Sequence, residues 1–83
     1  MEKKEIIFTI IAQMNELLGL NIENVTDNST LMQDLGLSSF DILLLLSEIE
    51  NKFGVEFSAS DLRTMFTVGN VADFIVRALS QGI

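Results

Sequence analysis

Apolar residues recur along this chain at spacings of three and four, with polar positions between them, and the pattern predicts helices. Over residues 3–18 the stripe is Ile7, Ile10, Ile11, Met14, Leu17 and Leu18, and Gly19 is placed to stop the helix. Residues 20–38 lose the period and are rich in Asn, Ser, Thr and Asp, so they read as a loop. The loop is long for a chain of this size, which marks it as functional or well anchored. Leu31, Met32, Leu35 and Leu37 are its expected anchors. A second helix is expected over 39–52, with Phe40, Leu43, Leu46, Ile49 and Phe53 facing inward and Gly54 ending it. Ile42 to Leu46 are apolar all round, so some of that run must meet solvent in a monomer. Val55-Glu56-Phe57 reads as an extended connector. Ser60 is then expected to cap a short third helix over 61–65, with Asp61 well placed for its dipole. Thr67 is expected to cap a fourth over 68–79, whose inner stripe is Val71, Phe74, Ile75, Ala78 and Leu79.

The expectation is therefore an all-α chain: a four-helix bundle with a long loop between helices 1 and 2 and a short third helix. With 83 residues it has room for one domain and one core, folded over 3–79, with 80–83 as a frayed tail. The absence of proline and the small number of glycines agree with helices. The longest apolar run is five residues, far below the roughly 20 of a spanning helix. The N-terminal segment is mixed in charge, and a cytoplasmic protein is the expectation.

Chemistry enters mainly through what is missing. The chain has no Cys, His, Tyr or Trp, so it lacks disulfides, the common zinc ligands and a histidine to activate its hydroxyls. Its lysines lie at expected helix ends, where solvent keeps their protons on. An ordinary active site does not fit this inventory, and no enzyme activity or metal site is expected. The net charge is −7, and between Glu5 and Asp61 there are ten acids against one base, Lys52. Such a field disfavours nucleic acid and anionic membrane and favours proteins with basic patches. The same acids also serve simply to keep a small protein soluble.

One stretch stands apart: Asp34-Leu35-Gly36-Leu37-Ser38-Ser39-Phe40-Asp41. It reads as a glycine turn leading into a helix start with two adjacent serines. Ser38 suits the N-cap, and Asp41, three residues on, completes a capping box. Ser39 then takes the first helical position with its side chain pointing outward. A phosphodiester there would sit at the positive end of the helix dipole, near N–H groups without intrahelical partners. The same residues also fit a plain capped helix with no further role.

This stretch resembles the acyl carrier protein family, which attaches 4′-phosphopantetheine to the serine of a Gly-x-Asp-Ser-[Leu/Phe]-Asp motif opening its second helix. Gly36-Leu37-Ser38-Ser39-Phe40-Asp41 is similar to that motif. The resemblance continues through Leu18-Gly19, the loop with Leu31 and Leu35, Ile49 to Val55, and Phe66-Thr67-Val68-Gly69-Asn70-Val71. It implies a covalent 4′-phosphopantetheine from coenzyme A on Ser39, supported by Gly36, Ser38 and Asp41. It implies a carrier of acyl thioesters for fatty-acid, polyketide or related lipid and secondary-metabolite synthesis. The implied partners are a phosphopantetheinyl transferase and acyl-processing or acyl-loading enzymes with basic docking patches, met through Asp34, Phe40, Asp41, Leu44, Glu48 and Glu50. Leu46, Ile49, Phe53 and Ile75 are candidates for a cargo pocket, though packing explains them equally well. Two positions depart from the family: Ser38 stands where an Asp is usual, and Leu44 where many members carry an acid. The register to Phe40 and Asp41 still points to Ser39, and Leu44 predicts a greasier contact surface. The alternatives are an aminoacyl or peptidyl carrier, and an unmodified acidic adaptor bound by a basic protein.

Overall fold

In a computed structural model, which describes residues 2–22 and 24–81 (the side chain of Gln81 apart), four helices follow one another. They are α1 (Lys3–Leu18), α2 (Ser39–Phe53), α3 (Ala59–Leu62) and α4 (Val68–Gln81). α1 packs against both α2 and α4. No helix among the described residues is long and apolar enough to cross a membrane.

The buried side chains form one cluster, and each long helix adds one stripe to it. α1 contributes Ile6, Ile10 and Met14; α2 contributes Leu45, Leu46 and Ile49; α4 contributes Val68, Val71, Ala72 and Ile75. Two of the expected stripes are rotated. On α1 the centre is Ile6, while Ile7, Ile11, Leu17 and Leu18 are half-buried flanks. On α2 the inward face is Ile42, Leu45, Leu46, Ile49 and Phe53, and Phe40 and Leu43 point to solvent, 68% and 55% exposed. Five consecutive apolar residues give the spacing rule no phase, and tertiary packing decides it instead. On α4 the stripe ends near Ile75, leaving Leu79 exposed.

The helix ends are set by short-range hydrogen bonds. Gly19 and Gly54 close α1 and α2 as expected. α3 is capped by Ser58 rather than Ser60, because the reciprocal bonds need a spacing of three. Ser58 Oγ accepts from the Asp61 N–H at 3.1 Å, and Asp61 Oδ2 accepts from the Ser58 N–H at 2.9 Å. The Ser58 hydroxyl also donates to Asp61 Oδ2 at 2.8 Å, and the two bonds to the carboxyl, from the backbone N–H first and the hydroxyl second, hold it below its ordinary range, with help from Arg77. Thr67 caps α4 with Asn70 as its reciprocal partner. α4 runs on to Gln81, where a frayed tail was expected from Ser80; the Ser80 hydroxyl donates to the Val76 carbonyl at 2.9 Å. Residues 82 and 83 of that expected tail lie outside the described residues.

The long loop is lashed down along its length. Its start is held by Asn15, whose side chain bonds both the N–H and the carbonyl of Ile22. Its middle pairs with the start of α4: Leu31 N–H donates to the Phe66 carbonyl at 2.9 Å, and Val68 N–H to the Ser29 carbonyl at 3.0 Å. Leu31 and Leu37 are buried anchors as expected, Leu35 is half-buried, and Met32 is exposed instead.

Gly69 belongs to this seam. Its N–H donates to the Asp27 carbonyl at 2.8 Å, and a Cβ at this position would lie 2.7 Å from that same oxygen. Gly69→Ala must therefore push the loop off α4, at a cost of about 1–3 kcal/mol. Chemical denaturation of the variant checks this.

Lys3 closes the same seam from α1, with Nζ 2.9 Å from both Asp27 and Asp73. The hydrogen bonds to Asp27 and then Asp73 raise its pKa. A raised folded-state pKa means that this support is fully present below the ordinary lysine range and is lost as pH rises through the raised value. Lys3→Met is expected to lower the melting temperature modestly at neutral pH, and less so in high salt, because all three groups meet solvent. Melting curves at two ionic strengths read this directly.

Candidate functional site

The turn before α2 is built for a defined helix start. Leu31 and Leu37 sink into the core, and the Leu37 N–H donates to the Leu31 carbonyl at 2.9 Å, so residues 32–36 loop outward between two fixed points. Asp34 folds back on this loop, its Oδ2 accepting from the Thr30 N–H at 2.8 Å. Gly36 has φ +72°, a left-handed conformation that a side chain would strain, and open space where a Cβ would be. The chain thus reaches Ser38 through a turn with no bulk above it.

Ser38 and Asp41 then form the capping box read from the sequence. Ser38 Oγ accepts from the Asp41 N–H at 3.1 Å, and Asp41 Oδ2 accepts from the Ser38 N–H at 3.0 Å. The neutral serine thus caps the helix where the family usually has an acid. Capping falls to Ser38, which leaves the exposed Ser39 hydroxyl, at the first helical position, outside the cap.

Ser39 also stands at the edge of a groove of about 450 Å³. One wall comes from α2, through Ile42, Leu43 and Leu46. The facing wall comes from the loop at Leu31 and Met32 and from the segment that carries Leu62, Met65 and Phe66. The lining is largely apolar, with Thr30, Gln33 and Ser39 as its polar members. A groove of this size is within the range of small-ligand sites.

The expected site residues divide accordingly. Gly36, Ser38, Ser39 and Asp41 come together as read. Of the four cargo-pocket candidates only Leu46 lines the groove. Ile49 and Ile75 are fully buried in the core and Phe53 packs half-buried beside it, so these three serve packing. Met32, Leu43, Leu62, Met65 and Phe66 were missed as groove residues. The available signal was a surplus of apolar residues in the loop and in early α2, beyond what one buried stripe needs.

The expected docking acids are also rearranged. Asp34 is exposed, but Asp41 is held in the cap, Glu48 is half-buried, and Glu50 Oε2 accepts from the Phe57 N–H at 2.8 Å. Leu44 is 37% exposed, as expected for a run from Ile42 to Leu46 that is apolar all round and cannot all be buried.

The phosphopantetheine attachment site family matches residues 9–75 of the chain. An acyl carrier protein of Thermotoga maritima is 32% identical over 77 residues, covering 93% of this chain and 95% of its own length. This chain belongs to the acyl carrier protein family. Another relative, an acyl carrier protein of Saccharopolyspora erythraea, is 36% identical over 98% of this chain and 85% of its own. Among solved structures, the acyl carrier protein of Enterococcus faecalis superposes with a TM-score of 0.74 at 27% identity, covering 93% of this chain and 98% of that one.

Membership makes the chain a carrier rather than a catalyst, with a covalently attached 4′-phosphopantetheine as its prosthetic group. Its partners include a phosphopantetheinyl transferase and enzymes that process acyl groups. The residues present fit that group: an exposed serine hydroxyl outside the cap, at a helix N-terminus, beside an apolar groove.

Proposed function

We propose that the chain carries acyl groups as thioesters on an arm attached to Ser39, delivering them to enzymes of fatty-acid, polyketide or related lipid and secondary-metabolite synthesis. The observation that carries this reading is the position of the Ser39 hydroxyl: exposed, spared from capping by Ser38, and at the mouth of an apolar groove. When bound, the arm supplies the terminal thiol that a chain without cysteine cannot offer.

The chain's own residues do the rest. Ser38 and Asp41 hold the first turn of α2, so that its N–H groups and dipole favour a phosphate on the adjacent oxygen. Gly36 keeps the approach to that oxygen low. Leu43, Leu46, Leu62 and Met65 offer apolar cargo a place out of water, which favours acyl over aminoacyl loads. The exposed Ser39 hydroxyl, left outside the cap, likewise favours a carrier over an unmodified adaptor.

The net charge of −7 steers enzymes whose docking side is positive, at a range where no specific contact is yet made. The same charge opposes self-association, and the carrier works as a monomer. The test is intact-mass measurement after incubation with coenzyme A and a phosphopantetheinyl transferase. The wild type is expected to gain one phosphopantetheine per chain; no gain sinks the reading.

A further inference from the structure

Mild oxidants find few targets in this chain. It has no Cys, Trp, Tyr or His, so oxidation by a peroxide falls on the thioethers of its four methionines. Three of these lie among the described residues, and they differ sharply in reach. Met14 is fully buried on the core stripe of α1, and Met65 is 6% exposed. Met32 is 51% exposed, at the point where the loop turns outward from its Leu31 anchor. Met32 also lines the groove beside Ser39, on the wall opposite Ile42, Leu43 and Leu46. Met65 lines the same groove from its buried side. One groove thus holds an open thioether at its rim and a closed one beneath.

We propose that Met32 is a reversible oxidation site, and that its sulfoxide weakens the hold of the groove on apolar cargo. The second half rests on the reading of that groove as a shelter for cargo carried from Ser39. In the step itself the Met32 sulfur attacks one oxygen of hydrogen peroxide. An S–O bond forms, the O–O bond breaks, and the other oxygen leaves as water with both protons. The sulfur is oxidised by two electrons and the peroxide is reduced by two. The product has a polar oxygen that accepts hydrogen bonds where an apolar side chain stood. While the groove is empty, water satisfies that oxygen, because Met32 is open to solvent. A cargo chain laid between Met32 and α2 displaces this water, and Ile42, Leu43 and Leu46 have no side-chain donor to replace it. The oxidised groove therefore prefers water to cargo. The fold is spared, since Met32 is outside the buried cluster that Met14 and Met65 belong to. Methionine sulfoxide reductases restore the thioether, so the change is a switch rather than a lesion.

The experiment treats the unloaded chain with hydrogen peroxide, removes the excess with catalase, and reads each methionine by peptide mass mapping. Met32 is expected to gain oxygen at least about tenfold faster than Met14 or Met65. A Met32 that oxidises no faster than either overturns the site. Circular dichroism is expected to show the oxidised chain as helical as the untreated one; loss of helix would give Met32 a core role and overturn the proposal. The oxidised chain is then loaded with an octanoyl group from octanoyl coenzyme A by a phosphopantetheinyl transferase, and thioester hydrolysis is followed by mass. Hydrolysis is expected to run about fivefold faster than in the unoxidised chain, and to slow again after treatment with methionine sulfoxide reductase. Met32→Gln, which places a polar group there without peroxide, should also speed it. In Met32→Leu the rate should no longer respond to peroxide, which separates Met32 from the other methionines. Equal rates with and without the sulfoxide, with Leu43→Ala faster than both, overturn the switch and leave the groove as the cargo's shelter. Equal rates in all three instead remove that shelter, and with it the reading on which the switch rests.

Discussion

Ser39→Ala is expected to abolish loading by a phosphopantetheinyl transferase completely, while Ser38→Ala still loads. The two serines are neighbours with opposite duties. Ser38 Oγ is an acceptor in the capping box, and its loss costs about 1 kcal/mol at the start of α2. That loosens the turn that presents Ser39, so slower loading is expected, with the final extent unchanged. In the proposed reading Ser39 Oγ is the attachment point, and alanine leaves no oxygen there. Intact-mass spectra over a time course separate a slowed reaction from one that does not occur. The melting temperature of Ser39→Ala should match wild type, because its side chain is exposed and outside the cap.

The second large effect is on stability. Ile75→Ala is expected to cost about 2–5 kcal/mol, because Ile75 is fully buried on the core stripe of α4 and its removal leaves a cavity. A domain of this size has only about 5–15 kcal/mol in total, so a fall in melting temperature on the order of 10 °C or more should follow. The same variant should leave the groove beside Ser39 as it is, since Ile75 does not line it. Leu43→Ala should do the reverse. Leu43 lines the groove and is largely exposed, so stability should change little while a bound acyl chain loses part of its wall. Thermal melts of the two variants, with protection of a loaded acyl thioester from hydrolysis as the second readout, test this division between core and groove.

The parts of this molecule that could be read from the sequence are those set by local hydrogen bonding. The capping box of Ser38 and Asp41, the stops at Gly19 and Gly54, and the bounds of α1 all follow from residue types at fixed spacings. The cap of α3 was misplaced by two residues because Ser58 and Ser60 both suit the role. The position of Asp61 three residues after Ser58 settles it. The rotation of α2 was not readable from periodicity, since residues 42–46 satisfy every phase. It is set by tertiary packing, with Leu45 drawn into the core and Phe40 and Leu43 turned out. The groove was invisible for a related reason. It forms between α2 and a loop held in place by backbone bonds from residues 29–31 to 66–68, and backbone pairing across that distance leaves no mark in side-chain pattern. Ile49 and Ile75 looked like pocket residues only because core and pocket use the same amino acids.

The most direct measurement is fragmentation, by mass spectrometry, of the peptide spanning Gly36 to Asp41 from loaded wild-type protein. The added group should sit on the second serine of the pair, within fragments that contain Ser39 and not in those that end at Ser38. A modification found on Ser38, or on any other hydroxyl of the chain, would contradict the division of labour between cap and attachment point from which the account is built.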